Sequence, residues 1–173
     1  ARLDKGEVKL LTRNGLDWTK KFKALSAAFA KLPAKAALVD GELVVEGNDG
    51  ITSFPLLQKN LKSGAQDRLL FYVFDLMHLD GQDLRPLPLH IRKEALANLL
   101  KYAPATGPLR LRASLAGRGP VLLKHACKMG LEGIVSKRDD ASYRSGRGHD
   151  WIKTKCTDRP EFVQPREALR RLA

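Results

Sequence analysis

The sequence has no apolar run of 18 residues, so no stretch reads as a membrane-spanning helix. No basic amphipathic helix stands apart from the rest, which also argues against a membrane surface as partner. The start, ARLDKGEVKLL, is charged and carries no apolar core of a secretory leader. Cysteine is scarce: Cys127 and Cys156 lack the spacing of a zinc site or a disulfide framework. They read as reduced thiols of an intracellular protein. His78, His90, His125 and His149 do not cluster, so neither a zinc site nor a Cys–His nucleophile has support. No glycine-rich phosphate loop of the G-x-x-x-x-G-K-[ST] type occurs. Acidic residues are also few, 19 against 31 Lys and Arg. The resulting net charge of +12 and pI near 10.0 point to a polyanionic partner, nucleic acid ahead of membrane.

What is present begins with ordinary globular bulk. Hydrophobic content is 43% and charged content 29% over 173 residues, enough for one domain with a true core. Strands are expected at 7–13, 37–46, 68–79, 109–114, 133–138 and 151–155. The second and third, ALVDGELVVE and RLLFYVFDLMHL, have the Val, Leu and aromatic content of buried strands. The first residues read as a hairpin turning at Asp4-Lys5-Gly6. Helices are expected at 17–32, 90–102 and 120–129. In the first, Trp18, Phe22, Leu25, Phe29 and Leu32 recur at intervals of four and three and form one apolar stripe. Asp17 stands where an N-cap belongs, and Pro33 stops the run. Pro120 opens the third helix and Gly130 follows its end. Long strands mixed with helices give an α+β fold built on mainly antiparallel sheets flanked by helices.

The richest segment is Glu132 to Lys155: EGIVSK, then YRSGRG, then WIKTK. Strand side chains alternate, so Lys153 and Lys155 share a face, with Ile152 and Thr154 on the other. Two ammonium groups about 7 Å apart on one face repel unless an anion lies between them. A phosphate meets that need. Arg147 adds a planar fork suited to phosphate oxygens, and Glu132 a hard oxygen donor of the kind Mg²⁺ takes. The competing reading is a solvated basic edge that only blocks aggregation.

Other motifs are individually modest. TRNGLDWT at 12–19 sets Arg13 before Asn14-Gly15, a pair that favours a type I′ hairpin turn. DGELV at 40–44 sets Asp40 and Glu42 in an otherwise apolar strand, where a carboxylate needs a partner. A turn at Asp40-Gly41 with Glu42 exposed is the plain alternative. FYVFDLMHLDG at 71–81 joins Phe74 to Asp75. An aromatic beside a polar site can stack on a base, although core packing is the commoner use. FPLLQ at 54–58 is a short helical or turn segment.

The order TRNG, DGEL, FYVFD, EGIVSK, WIKTK resembles the nucleotidyltransferase motifs of ATP-dependent DNA ligases. TRNGLDWT and the run from Tyr143 to Arg147 most resemble the ligase domain of bacterial end-joining ligases, and the resemblance covers residues 1 to about 156. It implies an ATP-grasp-like nucleotidyltransferase core, with ATP and Mg²⁺ as cofactors. It further implies nicked or broken DNA as partner, with other end-joining repair proteins, in the bacterial cytoplasm at the nucleoid. Carried onto this sequence, Phe74 stacks on adenine, Glu42 bonds the ribose and Arg13 contacts the nucleotide or DNA backbone. Glu132 helps hold the metal. Lys153 and Lys155 neutralise the α-phosphate, and Arg147 supports the nucleotide phosphates. Lys137, closing EGIVSK, is a lesser nucleotide contact.

One motif is missing. The family's covalent lysine belongs to K-x-D-G, and the residues two before Asp40, Asp49 and Asp80 are Leu38, Gly47 and His78. The expectation is that this motif lies upstream of Ala1, that residues 157–173 are a tail, and that the oligonucleotide-binding domain is absent. The chain as given is then expected not to adenylate itself.

Overall fold

A computed structural model describes residues 1–112, 114–146 and 150–156. The two long apolar runs pair antiparallel as β3 (Ala36–Val45) and β4 (Leu69–Leu79). Outside β3 lies the expected hairpin of β1 (Arg2–Asp4) and β2 (Glu7–Lys9). Its turn residues Lys5 and Gly6 both have positive φ, 48° and 87°, the type I′ signature whose twist suits flanking strands. Asp80 and Gly81 repeat this geometry, with φ of 45° and 91°, and lead β4 into a short β5 (Gln82–Asp83). A parallel β6 (Leu109–Leu111) also pairs with β4. Among the described residues these form a sheet in the order β2-β1-β3-β4-β5, with β6 beside β4.

The first expected helix is real but shorter. Residues 19–21 make a 3₁₀ turn, and α1 runs Lys23–Ala30. The N-cap position of the 3₁₀ turn is Trp18 rather than the expected Asp17, which stands one residue earlier and accepts from the backbone N–H of Thr19 at 2.8 Å and from its hydroxyl at 2.5 Å. Phe22, Leu25, Phe29 and Leu32 are buried as the stripe requires, and Phe29 packs edge-on against Phe71 with centroids 5.3 Å apart. FPLLQ opens a full helix, α2 (Phe54–Ser63). Ser53 caps it by accepting from the Leu56 N–H, and Gly64 closes it in the left-handed region. In α3 (Leu89–Leu100), Leu96, Leu99 and Leu100 join the core of Val39, Val45, Val73 and Leu76.

The chain divides into two units. The first is Ala1–Ser114 with Asp139–Ser145. The second is Leu115–Arg138 with the described residues from Gly146 onward. It holds α4 (Gly119–Lys128), β7 (Gly133–Lys137) and β8 (Trp151–Lys155), the strands antiparallel. Pro120 lies in the first turn of α4 and Gly130 (φ 78°) follows its end, as expected. Among the second unit's described residues, Ala126 and Cys156 are the buried ones.

The cysteines overturn their sequence reading. Cys127 and Cys156 are joined in a disulfide, with Cα atoms 5.5 Å apart. They are 29 residues apart in sequence, and spacing alone gave no hint of pairing. The antiparallel return of β8 brings Cys156 beside the start of β7, where its N–H donates to the Glu132 carbonyl at 2.9 Å. The turn ending α4 leads directly into that strand, so the cysteines meet.

Candidate functional site

In the first unit the strand pair that should carry Glu42 and Phe74 is irregular. Its register shifts between Leu38/Val39 and between Asp40/Gly41. At the second shift Gly41 pairs Val73 while Asp40 pairs Asp75, so Phe74 is the extra residue of a bulge. Bulges bend a strand and re-aim the side chain they add. Phe74 is half-buried. β3 continues through Asp40-Gly41 despite the shift, so the turn considered for that pair does not form. Glycine is required there, since a Cβ would lie 2.3 Å from the Phe71 ring and 2.5 Å from the Tyr72 carbonyl oxygen.

Glu42 is exposed and directly opposite Tyr72, and opposed residues share a face. The Tyr72 hydroxyl donates to the Glu46 carboxylate, and the Arg112 guanidinium lies 5.0 Å from the Tyr72 ring centroid. Burial, then the bond to Glu46, pushes the Tyr72 phenol above its ordinary pKa. This Tyr72–Glu46–Arg112 group beside Glu42 escaped the sequence reading.

Arg13 is exposed in the loop between Thr12 and Leu16. Here the sequence expectation needs correction: only Gly15 of the Asn-Gly pair has positive φ (79°). The turn is therefore not type I′. Gly15 N–H donates to the Thr12 carbonyl and Thr12 N–H to the Leu16 carbonyl, both at 2.9 Å. The Thr12 hydroxyl accepts a further bond from Leu16 N–H, which favours the wider loop.

The second unit matches the alternation argument closely. Lys153 and Lys155 lie on one face of β8, and both ammonium groups reach the same oxygen of Glu132, at 3.3 and 3.7 Å. The anion between the two lysines is thus the protein's own carboxylate. All three side chains are 51–58% exposed, so the cluster is open to exchange with solvent ions. Lys137 pairs with Trp151 in the register, on the same face. Its ammonium stands 3.6 Å from the Trp151 ring centroid, a cation–π contact. The lysine at the end of EGIVSK and the tryptophan of WIKTK are therefore partners across the ribbon. Arg147 lies outside the described residues.

Among the described residues no group of three or more His, Cys, Asp and Glu could hold a metal ion. Glu132 offers a single hard donor. That fits Mg²⁺ arriving with phosphate oxygens, because Mg²⁺ keeps several waters and takes one or two protein carboxylates. A cavity of about 330 Å³ in the first unit is lined by Asp83, Arg85, Pro86, Ser142, Tyr143 and Ser145. It includes none of the nominated side chains.

A second feature escaped the sequence reading. Asp75 is fully buried and bound by Arg92 of α3. The signal was there: Arg92 occupies the apolar stripe of Leu89, Leu96 and Leu99, and a lone acid in FYVFDL needs a partner.

The family described as the ATP dependent DNA ligase domain matches residues 1–155. The multifunctional non-homologous end joining protein LigD of Pseudomonas aeruginosa is 44% identical over 163 residues, 94% of this chain and 19% of that protein. The LigD of Mycobacterium bovis is 33% identical over 161 residues, 92% of this chain and 20% of that protein. The chain thus spans about a fifth of these relatives' length. A mycobacterial DNA ligase D solved with ATP and MES superposes with a TM-score of 0.73 at 30% identity, over 89% of this chain and 49% of that one. The ligase domain of Mycobacterium tuberculosis LigD superposes equally well, at 32% identity over 89% of this chain and 50% of that one. No helix among the described residues is long and apolar enough to cross a membrane. On the match over residues 1–155 and the identity to LigD over most of this chain's length, the chain belongs to the ATP-dependent DNA ligase domain family, close to the ligase domain of LigD.

Proposed function

We propose that this chain is the nucleotide-binding core of an end-joining DNA ligase. Such an enzyme joins DNA 3′-hydroxyl and 5′-phosphate ends at nicks or breaks, through lysyl-AMP and DNA-adenylate intermediates. The observation that carries the proposal is the convergence of Lys153 and Lys155 on Glu132 at 3.3 and 3.7 Å. Two cations on one strand face, joined by an exchangeable carboxylate, suit a phosphate that enters with its own cation.

The remaining roles follow from side-chain chemistry. Phe74, set off by its bulge, stacks on the adenine. Glu42, an exposed acceptor on the same strand pair, bonds the ribose hydroxyls. Arg13 contacts the nucleotide or the DNA backbone. Lys153 and Lys155 stabilise negative charge on the α-phosphate as it is transferred, with Lys137 and Arg147 as further phosphate contacts. When bound, Mg²⁺ supplies charge neutralisation and alignment of phosphate oxygens, with Glu132 as its protein ligand. The formal net charge of +12 serves the DNA backbone.

K-x-D-G does not occur within these 173 residues, so the chain binds nucleotide without becoming covalently adenylated. Calorimetry of ATP and AMP with Mg²⁺, on the wild type and on Phe74→Ala and Lys153→Ala/Lys155→Ala variants, tests the reading. Weakened AMP binding in the first variant and weakened ATP binding in the second are expected. A folded wild type that binds neither nucleotide but binds DNA with steep salt dependence would instead mean a non-catalytic nucleic-acid-binding module. An acid-labile adduct from radiolabelled ATP would contradict the non-covalent part.

A further inference from the structure

Asp75 and Arg92 are the buried charges of the first unit, both with no exposed side-chain surface. Arg92 grips the carboxylate as a fork, Nε to Oδ1 at 2.8 Å and Nη2 to Oδ2 at 3.0 Å. Its other terminal nitrogen donates to the carbonyls of Leu87 at 2.5 Å and Ala141 at 3.1 Å. The guanidinium lies 6.0 Å from the Tyr143 ring centroid. One side chain therefore ties together β4, the approach to α3, and the 139–145 segment. Asp75 Oδ1 also accepts from the Leu76 N–H at 2.9 Å, which holds the backbone just beyond the bulge.

A buried ion pair is a poor source of net stability, because desolvation offsets the attraction and an apolar pair of similar volume often does as well. An apolar pair cannot impose a fixed geometry. A fork between planar groups can, since both hydrogen bonds must align at once. Asp75 directly follows Phe74, the residue added by the bulge.

We propose that Asp75 and Arg92 are positioning residues: their pairing fixes the β4 bulge and with it the aim of the Phe74 ring, while Ala141 registers the 139–145 segment to the same point. This rests on the base-stacking role given to Phe74 above. All the groups involved lie in the first unit.

The test is AMP binding by calorimetry and thermal unfolding of the whole chain, for the wild type, Phe74→Ala, Asp75→Leu/Arg92→Met and the triple variant. Losing a base stack in Phe74→Ala is expected to weaken AMP about tenfold. The double variant, with no charge left unpaired, is expected to melt within a few degrees of wild type yet bind AMP about as weakly as Phe74→Ala. In the triple variant the Phe74 change is expected to add less than about twofold, because coupled residues are not additive. Arg92→Lys, which keeps the charge and loses the fork, is expected to fold and to show the same loss.

Wild-type affinity in a folded double variant or in Arg92→Lys, beside a weakened Phe74→Ala, overturns the inference alone. Full additivity in the triple variant overturns it as well. Wild-type AMP affinity in Phe74→Ala removes the stacking role itself, and the inference with it.

Discussion

The first unit is held by a core and the second by a bond. In the first, Phe29, Leu76, Leu96, Val39, Val45 and Val73 are essentially fully buried between sheet and helices. In the second, α4 lies on a two-stranded ribbon, and a disulfide joins the helix end to the residue after β8. A hairpin of this size is marginal alone. Closing a loop of roughly 30 residues contributes about 3–4 kcal/mol in the chain-entropy account. The lysines proposed to meet phosphate thus ride on the element with the least apolar burial, while the proposed base-binding residues ride on the element with the most. Ligand-handling segments are often drawn from the less stable part of a fold.

The largest expected effect probes the core. Phe29→Ala should cost about 3–5 kcal/mol, read as a fall in the denaturant midpoint. A cost under about 1 kcal/mol would mean the first unit does not depend on this packing. Reduction of the disulfide, or Cys127→Ser with Cys156→Ser, should cost about 2–4 kcal/mol. The loss should be confined to the second unit, so amide exchange should speed up at 133–137 and 151–155 and stay slow at 69–79. Uniform acceleration would erase the distinction between the units. Gly133→Ala should come next, at about 1–3 kcal/mol, because its Cβ would lie 2.2 Å from the Thr154 carbonyl oxygen. Wild-type exchange across β7 and β8 in that variant would show that the ribbon gives way freely.

Smaller effects concern charge. Glu132→Gln should change stability by less than about 1 kcal/mol, as exposed ion pairs do. It should also tighten metal-free pyrophosphate binding severalfold, since a competing negative charge is gone. Unchanged pyrophosphate affinity at low salt would mean the carboxylate does not compete for the lysines. The smallest effect is acid-dependent. Hydrogen bonds from the Arg85 side chain, then its backbone N–H, lower Asp83 to a pKa of about 2. The folded state favours the ionised carboxylate. The associated stability is present above the ordinary value of 3.8 and is lost as pH falls through about 2. A carboxyl titration by NMR with a midpoint near 4 would contradict the pairing.

Much of this architecture is legible in the sequence, for identifiable reasons. The buried strands declared themselves through Val, Leu and aromatic content, and α1 through the spacing of Phe22, Leu25, Phe29 and Leu32. The shared face of Lys153 and Lys155 followed from the period of a strand. What escaped depends on how distant segments meet. The bulge at Phe74 is a property of two strands' register. The Asp75–Arg92 fork needs α3 laid against β4, and the disulfide needs β8 to return along β7. Some signals were local and underused. Ser53, Pro55 and Gly64 are a cap, a first-turn residue and a left-handed stop, and together they mark a full helix where only a short segment was expected. The Asn14-Gly15 reading failed for the opposite reason: a pair preference yielded to the extra bond from Leu16 to the Thr12 hydroxyl.

The disulfide also changes what kind of object the polypeptide is. Residues 127–156 form a closed covalent ring, and its 139–145 arc belongs to the first unit. A single peptide-bond cut anywhere inside that ring leaves one connected molecule. Protease-nicked protein would run as one band on a denaturing gel until a thiol is added, and only then as two.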